Sequence, residues 1–235
     1  MKIAVLPSFK FVVVCFLFTT QVVLAKEPGN WTMFLNQTRI HTNWSLHSEF
    51  QYRSFSLAPT TEQVLLRVGL NYHFDPSLLF TAGYARIATS STSDNFNYEE
   101  LTQEDRIWQQ ILLKSNLNRV FFEHRYRFEQ RWISKPTNNE FKTRLRYLFR
   151  VTVPFNSKQI EPGVVFGSFY NEVFIQPDKV PFDRNRAYIA AGYQFNKVLS
   201  LQVGYLIQTV GNQSKQYAQL LLNYTPDLRK PEIKK

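Results

Sequence analysis

The sequence predicts an all-β protein, a transmembrane antiparallel up-and-down β-barrel of about ten strands, and three observations carry that reading. The first is the stretch RVFFEHRYRFEQRW at residues 119–132, which separates by parity into two surfaces. Arg119, Phe121, Glu123, Arg125, Arg127, Glu129 and Arg131 lie on one, and Val120, Phe122, His124, Tyr126, Phe128, Gln130 and Trp132 on the other. Side chains alternate across a strand, so one face is charged and the other is aromatic and aliphatic. The second observation is that this split recurs in segment after segment, with only Arg86, near a strand end, and His124 approaching the apolar face. The third is that no apolar stretch of about 18 residues follows residue 25, so no transmembrane helix can be drawn. A Lys or Arg turned to lipid at the bilayer midplane costs about 2–4 kcal/mol, and unpaired backbone in hydrocarbon forces a spanning sheet to close.

Taken in order, residues 1–25 read as a cleaved signal peptide. Lys2 and Lys10 give a positive start, FVVVCFLF at residues 11–18 an apolar run, and Val23-Leu24-Ala25 a small-residue cleavage site. Cys15, the one cysteine, lies in this segment, so disulfides, thiolate catalysis and cysteine metal sites drop out of the mature chain. Residues 26–225 are assigned to the barrel, a length that suits one domain. Residues 31–40 read like an eleventh strand, although single-chain bacterial barrels favour even counts. They could cap the lumen, extend the first hairpin, or pair with a strand hidden in the Gly- and Pro-interrupted stretch 160–176. Ten strands are therefore expected, with twelve as the alternative.

The remaining segments alternate cleanly. Trp44, Leu46, Phe50 and Tyr52 oppose Ser45, His47, Glu49, Gln51 and Arg53, and Val64, Leu66, Val68, Leu70 and Tyr72 oppose Gln63, Arg67, Gly69, Asn71 and His73. Phe80, Ala82 and Tyr84 oppose Thr81, Gly83 and Ala85, and Ile107, Ile111 and Leu113 oppose Arg106, Trp108, Gln110 and Lys114. Phe141, Leu145, Tyr147, Phe149, Val151 and Val153 oppose Lys142, Arg144, Arg146, Arg150 and Thr152. The last three segments set Ile189 and Tyr193 against Arg184, Arg186 and Tyr188, Leu201 and Val203 against Gln202 and Gly204, and Leu220 and Leu222 against Gln219 and Asn223. Tight turns at His41-Thr42, Asp75-Pro76-Ser77, Asn116-Leu117-Asn118 and Asn196-Lys197 alternate with longer polar links at residues 56–61, 89–103, 134–139 and 176–181. Outer-membrane barrels place short turns in the periplasm and longer loops outside. That orientation sends residues 44–55 outward and 217–224 inward, leaving residues 226–235 as a basic periplasmic tail. The strand glycines Gly69, Gly83, Gly192 and Gly204 are expected to relieve crowding where large lumen side chains approach.

These residues resemble a known family, the Gram-negative outer-membrane barrels catalogued as domain of unknown function 2490. The resemblance rests on Glu49-x-x-x-Arg53, on Arg67 with Gly69 and Tyr72, on Gly83-Tyr84, and on Glu104-x-Arg106-x-Trp108-Gln109-Gln110. It continues through His124-Arg125-Tyr126-Arg127-x-Glu129-x-Arg131, Arg144-x-Arg146-Tyr147, Asn171-Glu172, Phe182-Asp183-Arg184-Asn185-Arg186 and Gly192-Tyr193. It covers nearly all of the mature chain and implies an address and a fold but no activity. One departure stands out: many outer-membrane proteins end on an aromatic residue read by the insertion machinery, whereas here a basic tail follows Tyr224.

The functional candidates are the lumen charges: Glu49, Arg53, Arg67, Glu104, Arg106, Glu123, Arg125, Arg127, Glu129, Arg131, Arg144, Arg146, Arg150, Glu172, Arg184 and Arg186. Facing Arg–Glu pairs would fill a narrow interior with bidentate hydrogen bonds, and the cost of unpaired buried charge makes pairing expected. A pore would instead use the Arg surplus to favour anions. A lipid hydrolase would need a serine, a histidine and an orienting group; His47, Glu49, His73 and Ser45 are the residues closest to that pattern, and no sharp nucleophile turn accompanies them. A third reading places an interaction site on the polar, acidic loop 89–103, with Phe96 and Tyr98 as anchors. The net charge of +10 suits anionic partners. For an exported chain these are outer-membrane lipids and lipopolysaccharide rather than nucleic acid, with the barrel-insertion machinery as a partner in biogenesis. No phosphate-binding Gly loop, zinc spacing or dinucleotide fingerprint appears, so no cofactor is expected.

Overall fold

The computed structural model describes residues 28–58, 60–91, 101–177 and 182–229. Residues 1–27, which hold the expected signal peptide, most of the loop 89–103 and residues 230–235 lie outside the described residues. Eleven strands form: β1 (Gly29–Arg39), β2 (Trp44–Ser54), β3 (Thr61–His73), β4 (Leu78–Thr89), β5 (Thr102–Leu117), β6 (Val120–Ser134), β7 (Asn139–Pro154), β8 (Val165–Ile175), β9 (Phe182–Gln194), β10 (Leu199–Val210) and β11 (Gln213–Tyr224). Each pairs antiparallel with its neighbour in sequence, and β1 closes the barrel against β11.

That closure is parallel, running from Gly29 opposite Tyr217 to Asn36 opposite Tyr224. The reason is topological: an up-and-down meander with an odd number of strands ends in the direction in which it began. The count of eleven thus falls between the expected ten and the alternative twelve. Residues 31–40 do not cap the lumen; they form the first hairpin with β2 and at the same time supply the closing strand. The expectation of an even count assumes an antiparallel seam, and the parallel seam removes that requirement. The weak stretch 160–176 holds one strand, β8.

Turn chemistry sets one end of the barrel. Asp75 Oδ1 accepts from Ser77 N (2.6 Å), Ser77 Oγ (2.6 Å) and Leu78 N (2.9 Å), closing the β3–β4 link. The Ser77 hydrogen bonds hold its exposed carboxyl below the usual Asp range. Asn196 Oδ1 does the same for Val198 N and Leu199 N, as expected of Asn and Asp in turns. Asn118 takes φ 55° in the two-residue β5–β6 turn, a left-handed conformation that Asn tolerates. Beyond Tyr224 the chain continues the seam: Arg39 N donates to Pro226 O (2.8 Å) and Leu228 N to Arg39 O (2.9 Å).

The outer face is apolar in its middle, with Leu66, Val68, Ile107, Leu145, Ile189 and Val203 exposed. Rings stand in the middle of this face, where Tyr126 meets Tyr147 at 5.0 Å, and at both ends. At the turn end Tyr72 packs edge-on against Trp44 and Phe74, each with centroids 4.8 Å away, and Tyr193 meets Phe195 at 5.0 Å. At the opposite end Trp132 meets Phe141 at 5.2 Å. Polar groups on this face pair across strands: Asn36 with Ser48 (3.1 Å), Gln109 with Gln130 (3.3 Å), and Asn171 with Asn185 (2.9 and 3.1 Å). Asp105, on the parity of Ile107, also faces outward, so contrary to expectation Arg86 and His124 are not alone among polar residues there; it is ion-paired to Arg86.

Gly69 and Gly83 are cross-strand partners on β3 and β4. The Trp108 indole lies over both, 3.0 Å from where either Cβ would stand, and a Cβ on Gly83 would also come 2.7 Å from Gly69 Cα. Glycine here makes room for the ring and for the neighbouring backbone. Gly83→Val is therefore expected to destabilise the barrel by about 1–3 kcal/mol in urea equilibrium unfolding. Ala82→Val, pointing outward from the same strand, should leave the midpoint nearly unchanged.

Candidate functional site

Inside the barrel the charged face of each strand meets that of its neighbour, and the carboxylates become shared nodes. Glu129 on β6 is fully buried and stands opposite Arg144 on β7. Its Oε2 accepts from Arg144 Nη2 (2.6 Å) and Nε (2.9 Å), and its Oε1 from Arg146 Nη1 (2.7 Å), with Arg106 at 3.5 Å. Arg146 reaches on to Glu172 Oε1 (2.7 Å), which also accepts from Arg125 Nη2 (2.7 Å). Arg106 reaches back to Glu104 (2.7 Å), itself gripped bidentately by Arg131 at 2.6 and 3.0 Å. One connected network thus links β5, β6, β7 and β8. Glu49 forms a separate node with Arg67 (2.7 Å), directly opposite on β3, and with His47 (3.3 Å). Glu123 and Arg150 pair at 3.4 Å near the turn end.

Aromatic rings fill the spaces between guanidiniums. Arg146, Arg186, Arg144 and Arg184 sit 4.4, 4.6, 5.1 and 5.7 Å from the centroid of buried Phe174. Arg53 and Arg186 flank Trp31 at 3.4 and 4.8 Å, and Arg127 and Arg67 flank Trp108 at 4.7 and 5.4 Å. Planar guanidinium suits this stacking, and desolvation strengthens the cation–π attraction.

Of the sixteen residues singled out from sequence, Glu49, Arg53, Arg67, Glu104, Arg106, Arg127, Glu129, Arg131, Arg144, Arg146, Glu172 and Arg186 are buried. Glu123, Arg125, Arg150 and Arg184 are half-buried. Five further participants named here were not singled out for the network. Gln110 accepts from Arg127 (2.6 and 3.0 Å) and Gln208 from Arg186 (2.9 Å). Phe174 and Trp31 supply stacking faces. Parity places all four on the lumen side and could have found them. Asp183, the fifth, was invisible to parity. The register shift that pairs Phe174 with Arg184 and Ile175 with Phe182 leaves Asp183 as a bulge residue, turned inward to accept from Arg144 (3.2 Å).

The serine–histidine pattern is also brought together. Ser45 Oγ lies 2.8 Å from His73 Nε2, Asn71 donates to Ser45 Oγ (2.9 Å), and Thr81 donates to Asn71 Oδ1 (2.7 Å). Ser45 is buried, and no described carboxylate is hydrogen-bonded to His73. This chain stitches β2, β3 and β4 together. Among the described residues no group of three or more His, Cys, Asp or Glu could hold a metal ion. At the turn end lie a cavity of about 480 Å³, lined by Asn116, Asn118, Arg119, Phe121, Lys158 and Gln159, and a smaller one of about 160 Å³ reaching Lys114, Glu123 and Arg150.

A closed meander of strands around a buried Arg/Glu network defines a β-barrel protein with a polar interior. The chain belongs to the family described as protein of unknown function (DUF2490), whose family model matches residues 28–219. It is similar to an uncharacterized protein of Methylorubrum extorquens, 28% identical over 160 residues, which make up 65% of this chain. The match spans 66% of that curated relative, just under two thirds of its length. No solved structure matches.

Removing one partner of a buried ion pair strands the other, at about 3–5 kcal/mol. Glu129→Gln is expected to lose stability of up to that order in urea unfolding, because Arg144 and Arg146 each give up one of their two carboxylates and Arg106 keeps only Glu104. Glu123→Gln, with its half-buried single partner, should cost under about 1 kcal/mol.

Proposed function

We propose that this chain is an exported barrel spanning the outer membrane of a Gram-negative cell, its lumen closed by the Arg/Glu network, with its two ends as working surfaces. The observation that carries this reading is the inverted arrangement of polarity. The exterior is an apolar band of aliphatic and aromatic side chains with further rings at both ends, as lipid-facing barrels require, while twelve of the charged side chains are buried inside. The apparent leader at residues 1–25 agrees with export, and lipids, lipopolysaccharide and the insertion machinery are the corresponding partners.

A catalytic role is not part of this proposal. The Ser45–His73 pair lies in the lumen with the hydroxyl buried, and a triad needs a third group orienting the imidazole. Purified protein incubated with phospholipid or lipid A is expected to show no deacylation; turnover lost in Ser45→Ala would reverse that view.

A second reading, a small anion-preferring pore, draws on the excess of Arg over Glu and on the cationic turn-end cavity, where Arg119 and Lys158 have no carboxylate among the lining residues. Single-channel recording of refolded protein in a planar bilayer under a salt gradient separates the two. A silent, folded barrel is expected. Discrete steps with anion preference would establish the pore, and cation preference would contradict the assignment of the arginines to the lumen. Membrane fractionation of cells expressing the whole chain tests the address: recovery with the inner membrane or the soluble fraction would overturn it.

A further inference from the structure

The charge inside the barrel does not balance. Among the described residues eight arginines are buried against four glutamates, Glu49, Glu104, Glu129 and Glu172. A buried cation without a counter-charge is costly to keep, so the excess must be met. Unmet donors occur at several points of the interior, among them Arg53, Arg125 and Arg150, and three of them belong to residues in contact around one ring. Arg127 donates through Nε and Nη2 to Gln110, and Arg67 through Nη1 to Glu49. That leaves Arg127 Nη1, Arg67 Nε and Trp108 Nε1 buried with no hydrogen-bond partner. Arg67, Arg127 and Trp108 are 4%, 3% and 0% exposed, and both guanidinium carbons lie within 5.4 Å of the Trp108 ring centroid.

The carboxylates nearby are already engaged. Glu49 is held by Arg67 and His47. Glu129 Oε1 lies 4.0 Å from Arg127 Nη1 but is closer to Arg146 and Arg106. A neutral water would satisfy a donor without offsetting the charge, whereas an anion does both.

We propose that the folded lumen binds a small monovalent anion of the halide class between Arg67 and Arg127 at the indole edge of Trp108. Three donors in a packed interior favour a compact ion with no directional demands over phosphate or sulfate, which need more donors. Gly69 and Gly83 contribute by letting the indole lie against the wall beside Arg67. The inference rests on the interior alone and stands or falls independently of the membrane address and of conductance.

The test uses the full folded protein in detergent, comparing thermal unfolding in sodium chloride, bromide and gluconate at equal ionic strength. A saturable rise in midpoint with chloride or bromide, absent in gluconate, is expected, because a ligand bound only by the folded state stabilises it by mass action. Equal midpoints in all three salts would overturn the proposal. Arg127→Gln, which removes the excess charge at this point, should lose the halide dependence while remaining folded; full dependence in that variant would rule out the assigned site. If Arg127→Gln does not fold, Trp108 reports directly. With Trp31, Trp44 and Trp132 changed to Phe, iodide should quench Trp108 fluorescence saturably while neutral acrylamide does not. Trp108 insensitive to iodide would equally overturn the proposal.

Discussion

Closure is the constraint on which the rest of this structure depends. Every strand edge carries a row of backbone donors and acceptors, and a sheet buries them all only when its last strand meets its first. Eleven strands in an up-and-down order meet that need in one way, with β1 laid parallel to β11. The seam then continues through residues 226–228, whose backbone bonds to Arg39 extend it past Tyr224. Once the sheet is closed, each strand has one inward and one outward face, and the chemistry of the two faces follows from alternation.

The interior that results is crowded with like charges, and its arrangement follows from their repulsion. The two most deeply buried carboxylates each serve several arginines. Glu129 is shared by Arg106, Arg127, Arg144 and Arg146, and Glu172 by Arg125, Arg146 and Arg186. Aromatic faces take up part of what the carboxylates cannot, with four guanidiniums around Phe174 and two each around Trp31 and Trp108. Lysine could not replace arginine in this role, since an ammonium neither stacks on a ring nor bridges two carboxylates with a planar fork. The same network that holds the strands in place fills the interior between them with paired side chains, which is why the proposed function shifts from the lumen to the ends.

The polar groups on the exterior obey the same accounting as those inside. Asn36 finds Ser48, Gln109 finds Gln130, Asn171 finds Asn185, and Arg86 finds Asp105, each across a strand boundary. Pairing of this kind lowers the cost of exposing an amide or a charge to an apolar phase. It lets a barrel carry polar residues on its outer face without surrendering the apolar band.

The sequence by itself determined the architecture, because a period of two is a local property. Parity along residues 119–132 separates Glu129 and Arg131 from Phe128 and Trp132 without reference to any other part of the chain. The same reading placed Trp108 inward and attributed the strand glycines to crowding, which the indole over Gly69 and Gly83 shows. The parallel seam was not legible, since no local pattern states which distant strand an edge will meet; residues 31–40 looked like a strand that an even count had no place for. Nor were the partnerships legible within the network. Alternation gives a face but not a height around a tilted barrel, so only the tertiary structure decided that Arg146 bridges Glu129 and Glu172. It alone decided that a bulge turns Asp183 inward against its parity. It alone showed that three donors at Trp108 remain without a partner, because that depends on side chains from strands far apart in sequence meeting in one closed space.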